Sequence, residues 1–555
     1  MDAGEAVAEA LRAEGVERVY SVPGSHIHPI YEALRKTPSI QLVTCKLESN
    51  VSLMADAYGR LTGRPGVCLV TAGPGCLNSM AGVAQAYGAA SPLVHLSGAV
   101  PLAARREAFH GVDDPAFVHE MFRRVTKWSA RVERLADIPQ VLAQAFCIAR
   151  SGRPGPVHVE LPRLSDYSDH ILQREPAQLA PYRPLVSRFP PPDPGDVARF
   201  AHRLKQACAP VIAAGKGVLR RNATSELAAL AAKLQAPVVF AQDAIGVIPE
   251  SHPFSAGHFQ HTRSHPLCIE MLAHCDLVLA VGLRAQTAEM EALEALASGR
   301  DLILAGFDDA ADARYHGDDQ RVADPKLFLA ALLDALSDFQ PAQDETRIAA
   351  LARGRRELRA SLEAQNAPHR ADRPIHPGRL MEALAAVLDE TAIVASDVGN
   401  CQIWARSALR IATPESLLQS GVWNAMGFAL PTAMVAKMEF PQRDVIALAG
   451  DGALLMSIGD LPTAAEYGAN IVVLVLNDGA FGQTWLQQQS LYGHAYGTVF
   501  RSPDFSRIAQ ACGFEGVRVT EPEQLEPALR QALQAAKQRP VLLEAMVARA
   551  PYPRL

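Results

Sequence analysis

The feature that most constrains this chain is a recurring short apolar run that stops at a glycine or an acid. In "VIALAGDGALL", residues 445–455, Val445 to Ala449 are apolar without alternation, as in a strand covered on both faces, and Asp451 then stands between Gly450 and Gly452. The pattern returns in "NIVVLVLNDGAFG", residues 470–482, after a helix-like segment. Strand, helix, strand carries the chain back beside its start, so Asn477 and Asp478 are expected near Asp451 at one sheet edge. Parallel sheets bind ligands at that edge, and glycines there permit close backbone approach. An isolated GDG also suits a tight turn whose Asp caps the helix beginning near Ala453. Two converging acids favour a ligand, because close carboxylates share a proton or a hard cation, and Mg²⁺ typically takes one or two carboxylates plus phosphate oxygens. Gly450, Gly452 and the helix start would then supply amide donors to the phosphate.

The same punctuation runs through the whole chain and predicts three α/β units with parallel sheets. "VERVYSV", "IQLVTC", "GVCLVTA", "PLVHLSG" and "GPVHVELP" are the strands of a first domain, residues 1–165. A proline- and charge-rich stretch, 163–192, reads as a linker. "PVIAAGKGV", "APVVFAQ", "LVLAVGL" and "DLILAGFD" belong to a central domain, 190–336, and the polar segment 337–375 reads as helical. "AIVASDVG", "VIALAGDG", "NIVVLVLN" and "PVLLEAMV" form a third domain, 375–548. "AGKG" and "TAGPG" match neither GxGxxG nor the Walker A spacing and read as turns after strands. The central domain is left open to an adenine nucleotide such as FAD, ADP or coenzyme A.

At 555 residues the chain exceeds one core, and its 49% hydrophobic and 20% charged residues are ordinary for a globular protein. A net charge of −6, from 53 basic and 59 acidic residues mixed along the chain, argues against nucleic acid or a polybasic membrane patch. Nine cysteines without a CxxC pair fit reduced thiols of a cytoplasmic protein. The N-terminus is an amphipathic helix without a signal peptide's apolar core, and no run has the length of a membrane span.

With these motifs in view, the chain resembles thiamine-diphosphate enzymes of the acetolactate-synthase type, a family that includes benzaldehyde lyase, benzoylformate decarboxylase and oxalyl-CoA decarboxylase. The resemblance implies domains for the aminopyrimidine, a nucleotide-binding-like centre and the diphosphate, in that order. It makes Asp451, Asp478 and the carbonyl of Ala480 the protein ligands of Mg²⁺, with Ala453, Phe481 and Gly482 completing the neighbourhood. Relatives usually carry Asn where Asp478 stands, and the change keeps an oxygen ligand. "CKLESNVSLMADAYGRLTGRPGVCLVTAGPGCLN" is similar to the catalytic-acid segment and puts Glu48 at the acid's position. An acid there, desolvated and hydrogen-bonded to the aminopyrimidine, lets the cofactor act as its own base. An exposed carboxylate in a helix's first turn is the plainer reading of Glu48. Met426 in "SGVWNAMGFALPTA" matches the residue that props the cofactor into a bent shape, against core packing as the alternative. The carbonyl of Asn424 would meet the aminopyrimidine amine, where relatives commonly have Gly. "SDVGNCQIW" implicates Val398, Gly399, Asn400 and Cys401 at the diphosphate, and "GPGCLN" places Pro74 and Asn78 at the pyrimidine.

For the substrate, "SVPGSHIHPIYEAL" looks like the benzaldehyde-lyase segment with a proton-shuttling histidine, here His26 after Ser25, with His28 the weaker candidate. His110 takes the place of a substrate-contacting Gln. "GQTWLQQQSLYG" adds Gln483, Trp485 and Gln487, the last where synthases carry a selectivity-setting Trp. The expectation is therefore a lyase or transferase that breaks or joins a carbon–carbon bond beside a carbonyl, with a benzaldehyde-lyase-like or 2-hydroxyacyl-CoA-lyase-like pocket. The alternatives are an acetolactate-synthase-type enzyme on 2-keto acids, a catalytically silent nucleotide-binding homologue, and, on the α/β pattern alone, an NAD-dependent oxidoreductase without the dinucleotide fingerprint. A homodimer or homotetramer is implied, since in the family the first domain of one subunit faces the third domain of another.

Overall fold

The computed structural model describes residues 2–100, 110–114, 116–162, 180–260, 264–285, 287–308, 319–341 and 345–553. Of the expected linker, 163–179 lies outside the described residues, and 180–193 forms neither helix nor strand. Three six-stranded sheets, parallel at every pairing, follow one another along the chain. The first holds β1 (Arg18–Ser21), β2 (Gln41–Thr44), β3 (Gly66–Val70), β4 (Leu93–Ala99), β5 (Trp128–Arg131) and β6 (Pro156–Pro162). The second holds β7 (Pro210–Ala214), β8 (Val238–Ala241), β9 (Ser255–Phe259), β10 (Leu277–Val281), β11 (Asp301–Gly306) and β12 (Gln320–Val322). The third holds β13 (Ile393–Ser396), β14 (Leu417–Gln419), β15 (Val445–Gly450), β16 (Val472–Asn477), β17 (Glu515–Val519) and β18 (Val541–Met546).

The sheet orders are β2-β1-β3-β4-β6-β5 and β14-β13-β15-β16-β18-β17 in the outer domains, the same order twice. The central order, read β9-β8-β7-β10-β11-β12, is that of dinucleotide-binding sheets. Its switch point lies between β7 and β10, where the chain packs on itself: a Cβ on Gly215 would stand 2.3 Å from the Gly282 carbonyl oxygen. Beside it Lys216 is buried in an ion pair with Asp243, and Glu289 is buried nearby. Lys216 Nζ donates to the Gly88 carbonyl (3.1 Å) and Arg220 Nε to that of Ala89 (2.9 Å), which docks this edge on the first domain.

The outer domains share one core. Helix Ala429–Glu439 is buried from Ala429 through Ala436, as expected of a helix apolar on all sides, and it packs on helix Glu48–Thr62 of the first domain. Burying side chains such as Leu430, Met434 and Val435 contributes about 2 kcal/mol each. Polar pins fix the register: Asp460 accepts from the Lys46 amide (2.8 Å) and Asn50 Nδ2 (2.5 Å), and Tyr467 Oη accepts from the Thr44 amide (2.9 Å).

Five strands, β5, β9, β12, β14 and β17, fall outside the apolar runs read from the sequence, and each is an edge strand. These five pair on one side and are short or carry mixed residues such as "WSAR", "QRV" and "EGVRV", so they give no continuous apolar run, whereas β2, the sixth edge strand, was read from "IQLVTC". No helix among the described residues is long and apolar enough to cross a membrane.

Candidate active site

Adjacent strands β13, β15 and β16 are followed by Asp397, Asp451 and Asp478. A cavity opens at these strand ends. Val398, Gly399, Asn400, Cys401, Met426, Gly450, Asp451, Gly452, Ala453, Asp478, Ala480, Phe481, Gly482 and Gln483 all line it, as does Pro377. The fold thus gathers five separate segments around one space. Met426 is half-buried in its wall rather than sunk in the core.

Asp451 does not cap a helix. Gly450 holds the N-cap position of helix Asp451–Leu454, while the Asp451 carboxylate accepts from the amides of Gly452 (2.9 Å) and Gly479 (3.0 Å). The Gly452 amide is therefore committed to an acid and not to a phosphate, which corrects the expectation for that residue. Asp478 accepts from the Ala480 amide at 3.1 Å. Burial raises both carboxyl groups, and Asp478, beside the Asp451 charge, reaches about 7 against the pull of Arg549. One buried and one half-buried acid whose charged forms are both disfavoured are a donor set that a divalent cation relieves. Among the described residues no three His, Cys, Asp or Glu side chains cluster as metal ligands. A cation here would complete its shell with carbonyl, phosphate and water oxygens, which suits Mg²⁺. Gly482 is required by space: a Cβ there would lie 2.3 Å from Asp478 Oδ2 and 2.5 Å from Asn400 Nδ2.

Three residues of this half were not singled out by sequence. Asp397 is fully buried and accepts from the amides of Val398, Gly427 and Ala429, each at 2.9 Å, so it ties the turn at 398–401 to the segment carrying Met426. Its signal, an acid directly after an apolar run in "IVASDVG", was available. Arg549 Nε donates to the Asp478 carbonyl (2.9 Å) and Tyr552 Oη to Asn400 Oδ1 (2.7 Å). Both come from the C-terminal segment, and no local motif announces them. Asn424 has φ +53°, a left-handed conformation that Asn tolerates and Gly adopts freely, which gives a physical reason for Gly at this position in relatives.

The first domain gathers the other candidates on "TAGPG", read from sequence as a turn. His26 is buried in the turn after β1, with Nδ1 3.2 Å from Thr71 Oγ1, and its ring stacks on His110 at 5.1 Å between centroids. Ser25 precedes it on the same turn, while His28 is exposed. His110 sits at φ +65°, its carbonyl so close to Gly73 that a Cβ there would stand 2.2 Å from the oxygen, and burial lowers its pKa. Glu48 opens helix Glu48–Thr62 and accepts from Asn78 Nδ2 at 3.1 Å; Pro74 begins the helix that carries Asn78. A Cβ on Gly75 would meet Thr71 at 2.9 Å and Glu48 Oε1 at 3.5 Å, so the acid and the His26–Thr71 pair adjoin. Glu48 is half-buried within its own chain.

The expected substrate residues are divided. Ser25 belongs to the first-domain group, while Gln483, Trp485 and Gln487 lie on helix Gly482–Tyr492, Trp485 facing the Arg549 guanidinium at 5.7 Å and Gln487 exposed. Exposed apolar side chains border both groups: Leu77 beside Asn78, Val422 and Trp423 before Asn424, Met456, Phe481 and Tyr496.

An acid pair behind glycines in one domain, and a carboxylate with paired imidazoles in its topological twin, define a two-half cofactor site. Family models agree: "Thiamine pyrophosphate enzyme, N-terminal TPP binding domain" matches residues 1–117, the central domain of the same family 197–332, and its C-terminal TPP binding domain 397–545. The chain belongs to the thiamine-pyrophosphate-dependent enzymes of the acetolactate synthase family. It is 30% identical to the probable acetolactate synthase large subunit of Methanococcus aeolicus over 554 residues, 96% of this chain and 90% of that one. It is also 30% identical to the acetolactate synthase isozyme 3 large subunit of Escherichia coli (97% and 93% covered) and to the acetolactate synthase of Mycobacterium bovis (98% and 87%). These names match the synthase alternative rather than the lyase-like reading.

Proposed function

We propose that the protein is an acetolactate-synthase-type carboligase, which removes carbon dioxide from a 2-keto acid and joins the remaining acyl unit to a second carbonyl. The similarity to named synthases over almost the entire chain is the observation that carries this reading. Thiamine diphosphate, when bound, supplies an electron sink for the carbon beside the carbonyl. Asp451, Asp478 and the Ala480 carbonyl would hold Mg²⁺ and, through it, the diphosphate; Val398 to Cys401 and Gly482 would wall the tail. Met426 would support the bend, and the Asn424 carbonyl would orient the amine. Glu48, positioned by Asn78, would hold a proton at the aminopyrimidine, and His26 with His110 would take or give a proton at the substrate oxygen.

Glu48 needs a cover that its own chain leaves open, and exposed apolar residues ring both halves. A homodimer in which each first domain faces the partner's third domain meets both requirements, and a fully active monomer in sedimentation would contradict it. The stacked imidazoles favour a second reading, a lyase acting on 2-hydroxy ketones or 2-hydroxyacyl-CoA thioesters. Incubation with thiamine diphosphate, Mg²⁺ and either pyruvate, benzoin or a 2-hydroxyacyl-CoA separates them by mass spectrometry. Carbon dioxide with acetolactate is the expected result; aldehyde from benzoin or the thioester, without acetolactate, overturns it in favour of the lyase.

A further inference from the structure

Behind the diphosphate turn lies a second cavity, of about 370 Å³, a volume within the range of small-molecule sites. Three bodies enclose it: the central domain at β9 and the segment after β8, the connecting helix Glu345–Asn366, and the third-domain helix Asn400–Ala408. Its floor is apolar, with Ile245, Leu362 and Ile411, but five arginines (355, 359, 370, 406 and 410) line it against only three glutamates (250, 363 and 382). Arg359 pairs with Glu250 at 3.1 Å and Arg370 approaches Glu382 at 3.8 Å. Arg355 donates to the carbonyls of Ser255 (2.8 Å) and Pro253 (3.3 Å), and its charged neighbours are Glu250, which Arg359 also pairs with, and the guanidinium groups of Arg359 and Arg356. Positive charge therefore exceeds negative over an apolar floor. Trp404 in the same wall is 2% exposed, yet its indole Nε1 has no hydrogen-bond partner, whereas a buried indole N–H usually finds one.

We propose that this cavity binds a small organic anion with an apolar body, a monocarboxylate whose oxygens meet Arg355 and whose body lies against the Trp404 wall, and that its occupancy slows release of the cofactor. The link is one helix. Asn400 and Cys401 at its start line the diphosphate cavity, while Trp404 and Ala408 line this one, only about 6 Å further along at 1.5 Å per residue for Trp404. Pro553 lines the second cavity directly after Tyr552, which holds Asn400. An occupant would order both supports of the diphosphate turn, so a cofactor bound there would have less to order itself. The inference rests on the cofactor's place in the first cavity, not on which carbonyl compounds react.

The test is calorimetric titration of the thiamine diphosphate- and Mg²⁺-loaded protein with 4-phenylbutyrate, and with uncharged 4-phenylbutan-1-ol as control. One site per chain is expected, with the alcohol at least about tenfold weaker, because charge-assisted hydrogen bonds are lost. Arg355→Met should weaken the acid by a similar factor, and Leu362→Trp, which adds bulk to the cavity floor, should abolish binding while turnover without the acid is unchanged. Bound phenylbutyrate should slow thiamine diphosphate dissociation at least about threefold. Absence of binding at about 10 mM acid, a concentration well above that of a millimolar site, equal affinity for acid and alcohol, or undiminished binding to either folded variant overturns the site. An unchanged dissociation rate with the acid bound overturns the coupling, and loss of the synthase reaction alone touches neither.

Discussion

The first and third domains have the same strand order and give matching strand ends opposite chemistry. β1, β3 and β4 correspond in order to β13, β15 and β16. The residues directly after the first set are Val22, Thr71 and Val100; those after the second are Asp397, Asp451 and Asp478. A parallel sheet presents its carboxyl edge to a ligand in either case, and the residue one step beyond each strand decides what that ligand can be. Asp451 and Asp478, the two of these acids that line the cavity, suit a cation and the phosphate it carries. Neutral residues leave the first-domain edge without a cation's donor set, and there Glu48 adjoins the stacked imidazoles of His26 and His110. Both domains keep a buried glutamate two residues before the end of β6 and β18 beside an edge-strand arginine, Glu160 with Arg131 at 3.8 Å and Glu544 with Arg518 at 3.7 Å; Glu544 also accepts from Asn477 Nδ2 at 2.6 Å.

The division of labour is most exposed to paired variants, one in each half. Asp451→Ala should weaken Mg²⁺-dependent thiamine diphosphate binding at least about 100-fold, and Glu48→Ala should leave binding within a few-fold while turnover falls at least about 100-fold. Titration calorimetry and steady-state rates measure both, and the comparison breaks if Glu48→Ala loses the cofactor as Asp451→Ala does. Next in size is Asp397→Ala, which strands three buried amides and should cost on the order of 4 kcal/mol, read from the urea midpoint. Asp397→Asn returns one acceptor and should lie between it and the wild type; a neutral Asp397→Ala would remove the tether.

The smallest effect concerns pH and the first domain. Burial pushes Glu160 from 4.5 up to about 7, against the pull of Arg131. A raised carboxyl favours the protonated folded state, so its contribution is complete below about pH 4.5 and fades as pH rises through about 7. Glu160→Gln should remove a fall in stability on the order of 2 kcal/mol across that window. Chemical denaturation of wild type and variant at several pH values gives the slopes, and equal slopes would count against it.

Much of this architecture is legible in order of burial. Strands paired on both sides, such as Val445–Gly450 and Val472–Asn477, appear as unbroken apolar runs. The five edge strands missed by that rule are polar or short because one side meets loop or solvent. Asp451 and Asp478 were legible because each stands where a strand stops, whereas Glu48 was singled out by the resemblance of its segment, its place at a helix start being the plainer reading. Arg549 and Tyr552 were not, because their contacts join residues 71 and 152 positions apart.

The sequence alone determined three parallel sheets and an acid after each of three third-domain strands, because strand periodicity and turn chemistry are local. Only the tertiary structure decided that Asp451 and Asp478 line the cavity while Asp397 turns inward to hold the Met426 segment. That choice depends on which unpaired amides the folded loop at 424–429 brings within reach, and no spacing along the chain encodes it.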